Sequence, residues 1–157
     1  VSAVIALGAN LGDRDETLAA AIDELAALPL TSGIRASPPI ETIAVTLDGE
    51  DAEAPRYLNA VALVQTRLAP TVLLRELHRI EARHGRERRE RWGDRTLDLD
   101  LIAYGGVTSD DPRMTLPHPR AAEREFVLAP WVEVDPAAEI PGKGLAAELL
   151  ARVRSTS

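Results

Sequence analysis

Two aspartates alternate with leucines in the stretch T-L-D-L-D-L-I at 96–102. Side chains alternate between the two faces of a strand, so the leucines share one face, and Asp98 and Asp100 share the other. At a rise of ~3.3 Å per residue their Cα atoms lie about 6.6 Å apart, close enough to bind one cation or two cations ~3.5–4 Å apart. A strand with its polar face in water would show the same alternation, although aspartate is a poor strand residue.

Arginines are concentrated immediately before these aspartates. Between positions 83 and 95, six arginines stand against three acidic residues, although the whole chain has a net charge of −7. Such a segment can be a solvated surface stretch with salt bridges. Guanidinium groups also pair with phosphate oxygens through two hydrogen bonds and stay charged at any working pH. Next to two aspartates, the arginines therefore indicate a site for a polyphosphate.

The chain has no cysteine, which excludes disulfides, thiol nucleophiles and zinc–thiolate or iron–sulfur sites. Oxygen ligands favour magnesium or manganese, and magnesium typically takes one or two protein carboxylates together with substrate phosphates and water. The sequence contains neither G-x-x-x-x-G-K-[ST] nor a kinase G-x-G-x-x-G loop, and its sole lysine, Lys143, lies near the C-terminus. Arginine and metal would then have to hold the phosphate.

A second group of residues suits a flat heterocycle. Tyr57 and Asn59 alternate onto one face of a predicted strand, which pairs a stacking surface with an amide that can donate and accept hydrogen bonds. Taken alone, Tyr57 and Phe126 are more readily interpreted as core residues. His118 lies between two prolines, where it could bind a phosphate or order a turn.

The elements that would position these residues follow from hydrophobic periodicity and turn residues. The pattern predicts a strand at 3–7 ended by Gly8, a helix up to Pro29, an edge strand or extended segment at 34–42, a strand at 57–66, a helix at 70–84, a strand at 96–104 and a last helix around 145–153. This order predicts an α+β, ferredoxin-like sandwich with helices on one face of a mainly antiparallel sheet. No linker divides the chain, so we expect a single domain over 1–157.

Composition limits the class of protein. A chain of 157 residues that is 45% hydrophobic suits one globular domain. Its apolar runs fall short of the roughly 20 residues that a membrane-spanning helix needs. A net charge of −7 argues against a protein that coats nucleic acid or an anionic membrane. The N-terminal stretch has no basic residues ahead of an apolar segment, so we expect a cytoplasmic protein.

Four stretches form a recognisable set: A-L-G-A-N-L-G-D at 6–13, Y-L-N-A-V at 57–61, G-R-E-R-R-E-R-W-G-D-R-T-L-D-L-D-L-I at 85–102, and L-P-H-P at 116–119 followed by R-E-F at 124–126. Together they resemble the 6-hydroxymethyl-7,8-dihydropterin pyrophosphokinase family of folate biosynthesis, over about the whole chain. The resemblance implies a ferredoxin-like fold and transfer of the β,γ-diphosphate of ATP to the pterin hydroxymethyl group, with release of AMP. It implies Mg²⁺, as two ions, and ATP as co-substrate.

The resemblance also implies a role for individual residues. Asp98 and Asp100 would be the magnesium ligands and, with Arg86 and Arg95, the catalytic residues. The segment that closes over ATP would contribute Arg86, Arg88, Arg91, Trp92 and Arg95. The nucleotide would also be bordered by Glu81, Arg113, Thr115, His118 and Arg124. The pterin pocket would be formed by Thr42, Tyr57, Asn59 and Phe126. The chain departs from the family pattern at Asp94, Ile40 and Pro119.

Two other classes of function use some of the same residues. A metal-dependent phosphodiesterase or nuclease could employ the carboxylates and arginines, but it would need a groove of sustained positive potential. A noncatalytic binding module of the same fold has no use for two aspartates on one strand face. We expect an enzyme that acts as a monomer on ATP and a pterin, with neither nucleic acid nor a membrane as partner.

Overall fold

The centre of the fold is an antiparallel sheet. The computed structural model describes residues 1–10, 14–42, 57–85 and 97–156, together with the backbone of 45–46 and 49–50. The strands are β1 (Ser2–Ala9), β2 (Thr31–Ala36), β3 (Ile40–Thr42), β4 (Val45–Thr46), β5 (Gly49–Glu50), β6 (Tyr57–Thr66), β7 (Leu97–Tyr104), β8 (Glu139–Ile140) and β9 (Gly144–Leu145). The helices are α1 (Arg14–Ala26), α2 (Pro70–Gly85), α3 (Glu125–Val134) and α4 (Ala146–Ser155). No helix within the described residues has the length and apolar character needed to cross a bilayer.

Strand order confirms the predicted fold class. The main sheet runs β2-β6-β1-β7 with antiparallel neighbours, and β3 also pairs with β6. Helix α1 follows β1 and helix α2 follows β6, which is the β-α-β-β-α-β arrangement of a ferredoxin-like sandwich. The expected edge segment at 34–42 is two short strands, β2 and β3, separated by Pro38 and Pro39, which have no N–H to donate.

Helices cover both faces of the sheet, so the prediction of helices on one face was wrong. One buried cluster joins α1 and α2 to Ile5, Leu7 and Leu99. The other joins α3 and α4 to Val61 and Ile102. The second layer was missed because α3 contains a proline, Pro130, which normally breaks a helix. Its cost is offset by burial of Val127, Leu128 and Trp131 on the same helix.

An ion-pair cluster joins α1 to the last turn of α2. Glu24 Oε1 accepts a hydrogen bond from Arg83 Nε at 2.8 Å, and its other oxygen lies 2.6 Å from His84 Nε2. Burial acts to raise the pKa of the Glu24 carboxyl, but the hydrogen bonds and charges of His84 and Arg83 outweigh it and hold that pKa below its ordinary value of 4.5. The cluster holds together the two helices beneath the sheet.

Glu24→Gln should therefore lower the free energy of unfolding at neutral pH, by about 0.5–1 kcal/mol because solvent screens partly exposed pairs. A depressed pKa contributes stability that is complete above the ordinary value of 4.5 and is lost as the pH falls through the folded value. Urea unfolding across this range should show parent and variant converging at acid pH. Glu76→Gln is the matched control, since the bridge from Glu76 to Arg79 lies within one helix. A difference that does not change with pH would contradict the assignment.

Candidate active site

Strand register brings the two sequence-predicted groups of polar residues onto one face of the sheet. Asp98 on β7 lies opposite Gly8 on β1, which lies opposite Asn59 on β6. Directly opposed residues of antiparallel strands share a face. In the next row on this face, Asp100 lies opposite Ala6. Ala6 packs on the cluster that contains α3 and α4, so the candidate site lies on the face that these helices cover.

The two aspartates are half-buried at the edge of the sheet. Leu99, which lies between them, donates its N–H to Glu81 Oε2 at 2.8 Å. Because β7 is an edge strand, this backbone donor would otherwise have to bond to water or to a ligand. Glu81, on α2, therefore anchors the strand at the level of both carboxylates.

His118 lies close enough to Asp100 and Arg124 to respond to their charges. The backbone N–H of His118 donates to Ile102 O at 2.8 Å. The ring Nδ1 of His118 accepts a hydrogen bond from the backbone N–H of Arg120 at 3.3 Å. Burial lowers the pKa of His118 below its ordinary value of 6.5; Asp100 opposes this shift, while Arg124 and Arg120 add to it. The lowered pKa favours the neutral form of the imidazole, which forms part of an ordered turn near Asp100.

Aromatic and cationic side chains meet at the start of α3. The guanidinium carbon of Arg124 lies 5.6 Å from the centre of the Phe126 ring, a cation–π contact. Phe126 is 36% exposed and Tyr57 is half-buried, and neither belongs to the buried hydrophobic clusters. The alternative that Phe126 is a core residue is wrong, and its ring is available to a ligand.

Asn59 is held in place by its neighbours. It is buried, with 7% of its surface exposed, and its Nδ2 donates to Thr42 Oγ1 at 2.7 Å. Thr42 on β3 lies opposite Tyr57 on β6, so the predicted pterin residues of these strands form one patch. The hydrogen bond fixes which way the amide of Asn59 faces.

The remaining predicted residues fall into two groups. Arg113 is 89% exposed on its side chain and pairs with Asp111 at 3.2 Å, while Thr115 Oγ1 donates to Asp111 O at 3.1 Å. Hydrogen bonds from Arg113 lower the pKa of the Asp111 carboxyl. The other group lies outside the described residues: Arg86, Arg88, Arg91, Trp92 and Arg95.

Gly8 is the residue of this face that sequence reasoning missed. The prediction ended the first strand at Leu7, whereas β1 continues through Gly8 to Ala9. A glycine inside a strand often indicates that a ligand or another chain segment approaches the backbone closely. That signal was present in the sequence but was interpreted as a turn.

The carboxylates of the candidate site fit a magnesium ion that takes only a few of its ligands from the protein. Across the described ranges, no group of three or more histidine, aspartate or glutamate side chains converges as a metal site. Two carboxylates on one strand face, with substrate phosphates and water completing the shell, are a usual donor set for magnesium. Asp98 and Asp100 supply such a pair.

A family model described as 7,8-dihydro-6-hydroxymethylpterin-pyrophosphokinase matches residues 4–136. The chain belongs to this family. The resemblance inferred from the four motifs is thereby confirmed, and with it pyrophosphokinase activity on hydroxymethyldihydropterin in folate biosynthesis. The activity of this family is neither that of a phosphodiesterase nor that of a noncatalytic binding module.

Three curated relatives that are named 2-amino-4-hydroxy-6-hydroxymethyldihydropteridine pyrophosphokinase match this chain over most of their length. The protein of Haemophilus influenzae is 39% identical, covering 96% of this chain and 91% of the relative. That of Pseudomonas aeruginosa is 40% identical, covering 94% and 88%. That of Bacillus subtilis is 38% identical, covering 84% and 77%. The similarity therefore spans the sheet and the residues of the candidate site.

Proposed function

We propose that this chain transfers the β,γ-diphosphate of ATP to the hydroxymethyl oxygen of 6-hydroxymethyl-7,8-dihydropterin, giving the pterin diphosphate and AMP. The observation that carries the proposal is the row Asp98, Gly8 and Asn59 across three strands. A carboxylate suited to a metal ion stands on one side of a glycine, and an amide suited to a heterocycle stands on the other. The two substrates would meet above β1.

On the phosphate side, Asp98 and Asp100 would hold Mg²⁺, as two ions. Bound magnesium supplies charge stabilisation to the phosphate oxygens. Glu81 accepts a hydrogen bond from the Leu99 N–H, between the two carboxylates. This bond supports a positioning role for Glu81 at the border of the nucleotide.

Cationic and neutral donors would hold the rest of the triphosphate. Arg124 stands at the N-terminus of α3, and its charge and that of Asp100 both act on His118. A neutral imidazole can donate one hydrogen bond to a phosphate oxygen without adding charge. Arg113 and Thr115 would supply further nucleotide contacts. The others would come from the segment that contains Arg86, Arg88, Arg91, Trp92 and Arg95. Within that segment, Arg86 and Arg95 would act on the reacting phosphates.

On the pterin side, Tyr57 and Phe126 would stack on the ring, and Asn59 and Thr42 would bind its edge. The bond from Asn59 Nδ2 to Thr42 Oγ1 supports this assignment, because it orients the amide before a ligand arrives. A buried and pre-oriented polar group discriminates strongly against rings that lack the matching donor or acceptor.

The reaction requires no covalent intermediate on the protein. The hydroxymethyl oxygen forms a bond to the β-phosphorus, the bond from that phosphorus to the α,β-bridging oxygen breaks, AMP leaves with the oxygen, and the hydroxyl proton is released. Catalysis of such transfers rests on positioning and on stabilisation of charge. The row across the sheet would supply the positioning.

The wider assignments are part of the same proposal. The family match over 4–136 supports one pyrophosphokinase domain over residues 1–157. The net charge of −7 supports small-molecule partners rather than nucleic acid or an anionic membrane. We assign the enzyme to the cytoplasm as a monomer, to be checked by fractionation and by light scattering.

Incubation with ATP, Mg²⁺ and 6-hydroxymethyl-7,8-dihydropterin should yield AMP and the pterin diphosphate in equal amounts, because attack at the β-phosphorus expels AMP. Chromatography of the nucleotides, with and without pterin, measures this. ADP as the stoichiometric product would refute the proposal. AMP released without pterin would indicate a phosphodiesterase, and unchanged ATP would indicate a binding module.

A further inference from the structure

Gly8 lies in the middle of the candidate site, and its backbone conformation does not require a glycine. The glycines of positive φ in the described part of the chain are Gly33, Gly105, Gly142 and Gly144, and Gly8 is not among them. It pairs in regular register with both neighbouring strands. Any residue could adopt this conformation, and glycine inside a strand is destabilising relative to alanine. The backbone conformation of Gly8 therefore does not account for a glycine at this position.

The nearest side chain to Gly8 indicates why a glycine stands there. A Cβ at this position would lie 3.3 Å from Asn59 Oδ1, closer than ordinary van der Waals contact. Asn59 has little freedom to move away, because it is buried and its Nδ2 donates to Thr42 Oγ1 at 2.7 Å. An added methyl group would therefore rotate the amide of Asn59 or lengthen its bond to Thr42.

We propose that Gly8 controls the affinity for the pterin by setting the orientation of the Asn59 amide toward it. This inference rests on the proposed function, in which Asn59 binds the pterin edge. Gly8 is a positioning residue, since the group that touches the substrate is Asn59.

Gly8→Ala is the direct test. Calorimetry with 6-hydroxymethyl-7,8-dihydropterin and a nonhydrolysable ATP analogue should show a pterin Kd raised roughly three- to tenfold, as expected for one distorted hydrogen bond. The Kd of the ATP analogue should not change. The melting temperature should stay close to that of the parent, because the advantage of alanine within a strand opposes the cost of the distorted hydrogen bond. Gly106→Ala is the matched control. No atom lies within 4 Å of its added Cβ, so neither the pterin Kd nor the melting temperature should change.

Asn59→Ala separates failure of this inference from failure of the proposed function. If Asn59→Ala leaves pterin binding unchanged, the assignment of Asn59 is wrong. If Asn59→Ala weakens binding and Gly8→Ala does not, only the inference about Gly8 is wrong. The double variant should bind pterin as Asn59→Ala does, because Gly8 acts through Asn59. A fully additive loss would overturn the inference.

Discussion

Asp98→Asn and Asp100→Asn should each lower turnover by about 1,000-fold, because each removes a charged oxygen ligand from the proposed magnesium site, where a metal is worth several kcal/mol of charge stabilisation. The measurement is the initial rate of AMP formation at saturating substrates. Asp110→Asn is the matched control, since Asp110 is an exposed aspartate on the loop that follows β7. Its rate should equal that of the parent.

The fold should survive both substitutions, and that separates a catalytic role from a structural one. The packing of β7 is carried by Leu97, Leu99 and Leu101, each at most 5% exposed on the opposite face. Circular dichroism and thermal melting should therefore resemble those of the parent. Retained turnover in both variants would refute the metal assignment. Unfolding of both would show that the aspartates are needed for the strand.

Tyr57→Ala and Phe126→Ala should each weaken pterin binding by about 10- to 100-fold, the range expected when a stacked aromatic ring is lost. Affinity for a nonhydrolysable ATP analogue should hold in Tyr57→Ala, since Tyr57 lies on β6, on the Asn59 side of the site and away from the carboxylates. Calorimetry with each ligand alone and with both together makes the comparison.

Tyr57→Phe is the control for the stacking prediction, because it keeps the ring and removes the hydroxyl. It should bind pterin nearly as tightly as the parent. Equal losses in Tyr57→Phe and Tyr57→Ala would assign the affinity to the hydroxyl and contradict stacking. Arg124 packs on Phe126, so Phe126→Ala should also weaken the ATP analogue if the two subsites are coupled through this contact.

Much of the site could be predicted from short stretches of sequence. Alternation in T-L-D-L-D-L-I placed Asp98 and Asp100 on one strand face, as β7 shows. Pro70 and Gly85 bound helix α2 as predicted, because proline suits the first turn of a helix and glycine its end. These predictions depend on interactions within a few residues, which the sequence displays directly.

Other features followed from no local pattern. Gly8 was interpreted as a turn, whereas strand β1 continues through it in the folded chain. Helix α3 was missed because of Pro130, and burial of its apolar residues stabilises it. Local propensity is a weak guide wherever tertiary packing contributes more free energy. The environment of His118, close to Asp100 and Arg124, likewise depends on a loop that returns over the sheet.

The sequence by itself determined which residues could do the chemistry, the family to which they belong and the order of the long strands with helices α1 and α2. Only the tertiary structure decided that Asp98 and Asn59 stand on either side of Gly8, and that two further helices close the face on which they lie. The physical reason is that strand register joins residues far apart in the chain. It is set by burial of both faces of the sheet at once, and no single stretch of sequence contains that information.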